Sequence, residues 1–207
     1  AIRNLLNRAD KDLPNLPVMG GGNTRIVNNL VVANDTPNFA PKGNIVAGVP
    51  RGTGVMIMAN ELIDVTGNTL VGNPTGQVMV VAYPKPFTDK TYNPLPRGVW
   101  IVNNTYVGGG DDPQLPGGDQ LKAAFGGALP PVLWDGLGEA PMASGGDDAR
   151  ALSLNLPAQG AGAELARPTP LTLARAVPQI VPVAPGASVP RPPKPGAPSA
   201  LDARARP

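Results

Sequence analysis

Thr24-Arg25-Ile26-Val27-Asn28-Asn29-Leu30-Val31-Val32-Ala33-Asn34 is the stretch on which the reading of this chain turns. Two runs rich in β-branched residues flank Asn28-Asn29, and asparagine tolerates the positive φ that tight turns demand. The pair therefore reads as a hairpin turn or as a bulge within one strand, and a hairpin makes the flanking strands antiparallel. Part of the stretch recurs. Ile26-Val27-Asn28-Asn29 returns as Ile101-Val102-Asn103-Asn104, and each copy has a valine three residues further on, Val32 and Val107. Equivalent strands in the two halves of a sandwich account for this echo. Chance resemblance of two valine-rich strands accounts for it equally, since the match is only four residues long.

Working outward, residues 23–107 lie between two triple-glycine runs, Gly20-Gly21-Gly22 and Gly108-Gly109-Gly110. Six of the eight aromatic residues fall inside this span (Phe39, Tyr83, Phe87, Tyr92, Trp100, Tyr106), so the material for a core is concentrated there. Residues 44–49 read as a short strand, 55–65 as strand rather than helix, and 77–83 (QVMVVAY) as the clearest strand of the chain. The last is apolar on both faces, which places it centrally between two packed layers. Residues 98–107 close the body as a further strand. Six or seven short strands separated by turn signals, without helices long enough for parallel crossovers, predict a mainly β fold. The expected form is a small antiparallel β-sandwich or barrel, a jelly-roll arrangement being one version of it.

The flanks differ in kind. Over residues 2–12, Ile2, Leu5, Leu6 and Ala9, with Leu13 just beyond, fall on one stripe of a 3.6-residue period, predicting a short amphipathic helix that Pro14 and Pro17 end. With its hinge it forms an N-terminal unit, residues 1–22. Residues 108–166 read as an irregular glycine-rich arm. Residues 167–207 hold eleven prolines in 41 residues and read as an extended, polyproline-like tail. That tail carries six basic residues (Arg167, Arg175, Arg191, Lys194, Arg204, Arg206) against Asp202 alone, +5, while the preceding 166 residues sum to −3. A basic tail on a mildly acidic body points to contact with an acidic surface, or to a solvated linker.

The chain has no cysteine and no histidine, which excludes thiolate catalysis, a disulfide framework, the common zinc sites and imidazole acid–base chemistry. No segment approaches the ~20 apolar residues of a membrane-spanning helix, and no secretory leader is visible at the start. The glycine runs lack the Lys-Ser/Thr of a phosphate loop, and Asp111-Asp112 would repel an anion. The pairs Asp111-Asp112 and Asp147-Asp148 lack the alternating pattern of a calcium loop. As strand residues Glu61 and Asp64 face opposite sides, which disfavours a paired-carboxylate mechanism. The serines have no histidine to activate them. No cofactor, no metal and no enzymatic role are expected.

Long arms on a compact body suit a protein ordered by its neighbours. The sequence leads to the expectation of a structural component of a large symmetric assembly, a viral or phage capsid decoration (cement) or minor capsid protein located in the virion and assembled in the host cytoplasm. Its partners would be other subunits of that assembly, capsid or shell proteins, or further copies of itself. Expected partner-binding residues are Leu5 and Leu6 on the helix, Phe125 and Trp134 in the arm, and Arg191 and Lys194 in the tail. Folding of Trp134 back onto its own body is the competing expectation. The motif Pro190-Arg191-Pro192-Pro193-Lys194-Pro195 has a P-x-x-P spacing suited to an aromatic groove. Nucleic acid is a weaker candidate partner of the basic tail, which has no interleaved aromatics for stacking on bases. A different expectation is a β-sandwich carbohydrate- or receptor-binding module on a stalk, with Tyr83, Phe87, Tyr92 and Trp100 as an aromatic platform.

Overall fold

Two-residue corners, not hairpins, govern the architecture. The structure, a computed structural model, describes residues 8–11, 13–16, 21–144, 151–155, 169–171 and 174–175. Its strands are β1 (Arg8–Lys11), β2 (Gly22–Val27), β3 (Leu30–Val32), β4 (Thr53–Met58), β5 (Glu61–Thr66), β6 (Thr69–Val71), β7 (Gly76–Val81), β8 (Arg97–Val102) and β9 (Thr105–Val107). The helix α1 (Gly118–Ala124) follows, then β10 (Val132–Trp134), β11 (Met142–Ser144), β12 (Ala151–Ser153), β13 (Thr169–Leu171) and β14 (Ala174–Arg175). They form three sheets, ordered β1-β4-β7-β10-β12-β13, β14-β11-β8-β5-β2 and β3-β6-β9.

From β2 to β11 the chain visits the second, third and first sheets in strict rotation, so it coils as a solenoid. Each strand meets its parallel partner one turn later, Gly22 beside Glu61 and Glu61 beside Arg97 in the second sheet, and Leu30 beside Thr69 and Thr69 beside Thr105 in the third. Among the described residues every strand pairing is parallel except that of β12 with β13. The fold is thus mainly β, but the antiparallel sandwich or barrel is corrected: the sheets are mostly parallel and none closes on itself. A parallel connection needs a crossover of a dozen or more residues. Here the strands of the other two sheets are that crossover, so helices are not required.

The corners explain the sequence echo. Asn28-Asn29, Gly67-Asn68 and Asn103-Asn104 join the second sheet to the third, and the first residue of each pair has φ of 54°, 64° and 54°. That left-handed conformation is open to glycine and, at small cost, to asparagine. The second residue turns its amide inward and the three stack. Asn29 Nδ2 donates to Asn68 Oδ1 (2.9 Å), and Asn68 Nδ2 donates to Asn104 Oδ1 (3.0 Å). The backbone N–H groups of Asn29 and Asn68 donate to the same two oxygens, each at 2.9 Å. The expected hairpin at Asn28-Asn29 is therefore a corner between two sheets.

Left-handed residues recur every five positions through each turn. Asn23, Leu62 and Gly98 (φ 53°, 54°, 56°) form aligned bulges that the strand register skips. Ala33, Gly72 and Gly108 (44°, 57°, 57°) begin the corner leading back to the first sheet. A second amide stack starts there. Asn34 Nδ2 donates to Asn73 Oδ1 (2.9 Å), and Asn73 Nδ2 donates to Gln77 Oε1 (2.5 Å). Gln77 Nε2 in turn donates to the Gly108 carbonyl (2.7 Å). Gly109 occupies the third position of this stack, where a Cβ would lie 2.7 Å from Gln77 Nε2 and from the Asn73 carbonyl. The glutamine fills the space an asparagine would take. Gly109 and Gly110 thus form a close-packed corner.

Two cores result. Val31, Ile26, Ile57, Ile63, Leu70, Val80 and Ile101 are among those filling the solenoid's interior. The first sheet is buried on its outer face too, where Met56, Met79, Leu133 and Leu152 lie in register. β7 is central and covered on both sides, as its sequence implied. Further differences follow. Residues 8–11 of the expected N-terminal helix are β1, paired with β4, because backbone pairing at an open sheet edge outcompetes a marginal helix; residues 1–7 lie outside the described residues. The expected strand at 44–49 is a 3-10 turn, Ile45–Gly48, capped by Asn44 Oδ1 accepting from the Val46 N–H. Beyond Val107 the sheets continue through β10, β11 and β12, so a β body ending there is too short.

Candidate partner-binding surface

Three connections are far longer than the two-residue corners: residues 33–52, 82–96 and 108–131. They supply Val49, Tyr92, Leu121 and Leu129 to the outer core, and so are fastened to the first sheet by burial. Polar contacts fix them further. In the first loop Asn38 Nδ2 donates to the carbonyls of Val46 (2.7 Å) and Val49 (3.0 Å), while its Oδ1 accepts from the Ala40 N–H. Arg51 pairs with both Asp35 and Asp112 and so ties the first loop to the third.

This bracing presents Phe39 to solvent with 90% of its surface exposed, the largest exposure of any big apolar side chain described. An aromatic side chain displayed so fully on a braced loop has the form of a binding anchor. In the second loop Tyr83, Phe87 and Tyr92 pack edge to face, with centroids 4.9–6.2 Å apart and planes at 71–86°. A cleft of about 370 Å3 lies beside them, lined also by Leu16, Asn15, Lys85 and Gly43. Asp89 accepts from the Asn15 N–H (3.1 Å) and from the hydroxyl and N–H of Thr91. Those bonds, that to the Thr91 hydroxyl first, hold its carboxyl below the usual range. Exposed Leu16, Phe87, Phe39 and Val46 all belong to this cleft or to the loop that rims it.

No family model, no curated protein and no solved structure matches this chain. The surface is therefore read from its chemistry alone.

Of the residues expected to bind partners, Leu5, Leu6, Arg191 and Lys194 lie outside the described residues. Phe125 caps the C-terminus of α1 and packs half-buried against the outer core. Trp134 lies half-buried against the interior core, its Nε1 donating to the Leu137 carbonyl (2.9 Å). The two aromatics are thus divided between two cores and do not share a surface. Of the expected aromatic platform, Tyr83, Phe87 and Tyr92 converge while Trp100 stands apart, on the second sheet in register with Asp64 and Met142. Glu61 and Asp64 are each engaged by a neighbouring turn, Glu61 with Arg97 (2.6 Å) and Asp64 with Arg25 (3.2 Å). Among the described residues no group of three potential metal ligands gathers, and no helix is long and apolar enough to cross a membrane.

One buried carboxylate is unusual. Asp135 is 4% exposed, and burial raises its pKa from 3.8 to about 6. It accepts from the Ala82 N–H (2.6 Å) and the Leu137 N–H (2.9 Å), joining the end of β7 to the turn after β10. Its place beneath the chain and its two backbone partners make it a structural clasp. Phe39 is the functional candidate that the sequence reading missed. The signal was present, since the residue sits between the loop signals Asn34-Asp35-Thr36-Pro37 and Ala40-Pro41-Lys42-Gly43.

Proposed function

We propose that this chain is a structural, adhesive component of a large symmetric assembly, in the setting of a virus or phage capsid a decoration or minor capsid protein. The observation that supports this reading is the display of Phe39. The amide ladder, the ion pairs between turns and the double core make a stiff body, and that body holds one aromatic anchor and an adjoining cleft outward on braced loops. Such a body docks by burying an anchor in a partner's pocket, the contact type that dominates interface energies. The solenoid supplies the platform, and the glycine- and proline-rich segments supply further attachment along neighbouring subunits.

The test is co-sedimentation. Tagged full-length chain, produced in its native source, is expected to travel with particles of many subunits. Phe39→Ala should lower its occupancy on those particles tenfold or more while leaving its melting temperature unchanged, because Phe39 packs against nothing in the solenoid. A chain that sediments only as free monomer, or a Phe39→Ala variant with full occupancy, would sink the reading. A carbohydrate- or receptor-binding module is the second reading, favoured by half-buried Trp100 on the outer side of the second sheet. It requires that Trp100→Ala, not Phe39→Ala, removes binding.

A further inference from the structure

We propose that the cleft beside Tyr83 and Phe87 receives Phe39 of a second copy of this chain, in a two-fold dimer where each copy gives one anchor and takes one. The inference rests on the reading of Phe39 as an anchor and names its partner. Phe39 is a knob without a hole. It is 90% exposed, and Asn38 beside it is tied to the Val46 and Val49 carbonyls and to the Ala40 N–H. Those three bonds fix the loop with the ring turned out to solvent. The cleft is the matching hole. It encloses about 370 Å3, and a ring the size of benzene needs ~150 Å3.

Their placement selects a second copy. Gly43 lines the cleft and belongs to the same loop as Phe39, four residues away, at most ~14 Å along the chain. A knob and a hole side by side on one surface are self-complementary. A two-fold axis midway between them, in the plane of contact, sets each Phe39 over the partner copy's cleft at once, the isologous geometry of most dimers. A foreign partner would have to bring both a pocket and a projecting ring at that spacing. The surface is also large enough. Residues 13–16, 36–46 and 83–89 amount to about 20 residues, which reaches what one side of a stable interface uses. They include the exposed apolar side chains Leu16, Phe39, Val46 and Phe87.

The lining favours a ring over an aliphatic or basic knob. Tyr83 and Phe87 form one wall, and Tyr92, buried behind them, packs edge to face on both and holds them in place. Phe87 keeps 37% of its surface open, so an entering ring adds one more edge-to-face contact. Lys85 also lines the cleft. Its ammonium is drawn to the negative face of an aromatic ring and repels a cationic knob.

The experiment uses the purified full-length chain. Sedimentation equilibrium should show a reversible dimer. Phe39→Ala should raise its dissociation constant about a hundredfold or more, since two anchors are lost per dimer. Lys85→Gln should raise it about tenfold, roughly threefold at each of two sites. Both side chains lie outside the cores, so unchanged melting temperatures serve as the folding control. Phe39→p-benzoylphenylalanine, a photocrosslinking variant, is mixed with isotope-labelled native chain and irradiated. The crosslink should join the two chains and map to residues 13–16 or 83–88. A chain that stays monomeric, a dimer that either substitution leaves at full affinity, or a crosslink within one chain or to another surface would each overturn the proposal. Particle occupancy of the Phe39 variants is measured separately. A chain that is monomeric alone yet rides on particles through Phe39 therefore defeats this proposal and leaves the assembly reading standing.

Discussion

The corner between the second and third sheets is two residues long in all three turns, whereas the corner between the third and first sheets is four residues in one turn (72–75) and 20 or 24 in the others (33–52, 108–131). At the short corners the second residue of each pair, Asn29, Asn68 and Asn104, gives its side chain to the amide stack. At the long ones the chain lays Val49, Leu121 and Leu129 over a row of methionine and leucine side chains and, in residues 33–52, displays Phe39 to solvent. Strict repetition therefore builds the body, and departure from repetition builds the surface. The exceptions inside the repeat obey the same logic. Gly109 breaks the second amide stack only because Gln77 reaches in to complete it.

The sharpest way to break this contrast is at the centre of the complete ladder. Asn68 is 1% exposed and its amide accepts from Asn29 and donates to Asn104 and to the Ile26 carbonyl (2.8 Å). Asn68→Ala removes the acceptor of the Asn29 N–H and the donor to the Ile26 carbonyl in a buried corner and should destabilise the chain by about 3 kcal/mol. Asn29→Ala removes only a half-buried end of the ladder and should cost about 1 kcal/mol. Urea unfolding measures both. Equal losses at the two positions would mean that the ladder does not act as a stack.

An intermediate effect is expected where regular and irregular parts meet, at Asp135. Its folded pKa of about 6 lies above the 3.8 of an unperturbed group, so the folded state holds a proton that the unfolded state releases between those values. Stability from this group is therefore fully present below about pH 3.8 and declines as pH rises through 6. The loss is at most about 3 kcal/mol, since a tenfold difference in proton affinity between the folded and unfolded chain corresponds to ~1.4 kcal/mol. Melting temperature followed from pH 4 to 7 should fall in the native chain. Asp135→Asn lowers stability at pH 4 by forfeiting one of two backbone bonds, but should flatten that slope. An unchanged slope would remove Asp135 as its source.

What the sequence revealed, and what it hid, follows the same division. Strands at residues 77–83 and 24–34 were legible because burial on one or both faces leaves a local record in side-chain type. The parallel arrangement was not, because a left-handed asparagine followed by a second asparagine serves a hairpin and a solenoid corner alike. Only the identity of the neighbouring strand distinguishes them, and that is non-local. The echo at Asn103-Asn104 was the available signal. It looked twofold because the middle copy, Val65-Thr66-Gly67-Asn68, keeps the left-handed position with glycine and so loses the letter match. The placement of Phe125 and Trp134 was hidden for a related reason. They stand among glycines and prolines, yet α1 and β10 carry them back to the cores.

The smallest expected effect tests whether the five-residue backbone rhythm itself contributes stability. Ala33, Gly72 and Gly108 share one left-handed position in successive turns, and only Ala33 carries a Cβ there, at φ 44°. An L-residue in this region is strained by about 1 kcal/mol, partly offset because alanine loses less chain entropy than glycine on folding. Ala33→Gly should therefore raise stability by about 0.5 kcal/mol. The reverse exchange, Gly72→Ala, is free of packing complications, since a Cβ there meets nothing within 4 Å. It should cost about 0.5 kcal/mol through the backbone alone, the strain less the same entropy offset. Opposite signs in a paired denaturation experiment would show that the backbone geometry of this position is held in common by the turns, while equal signs would mean that the loop after Ala33 sets its own conformation independently of the repeat.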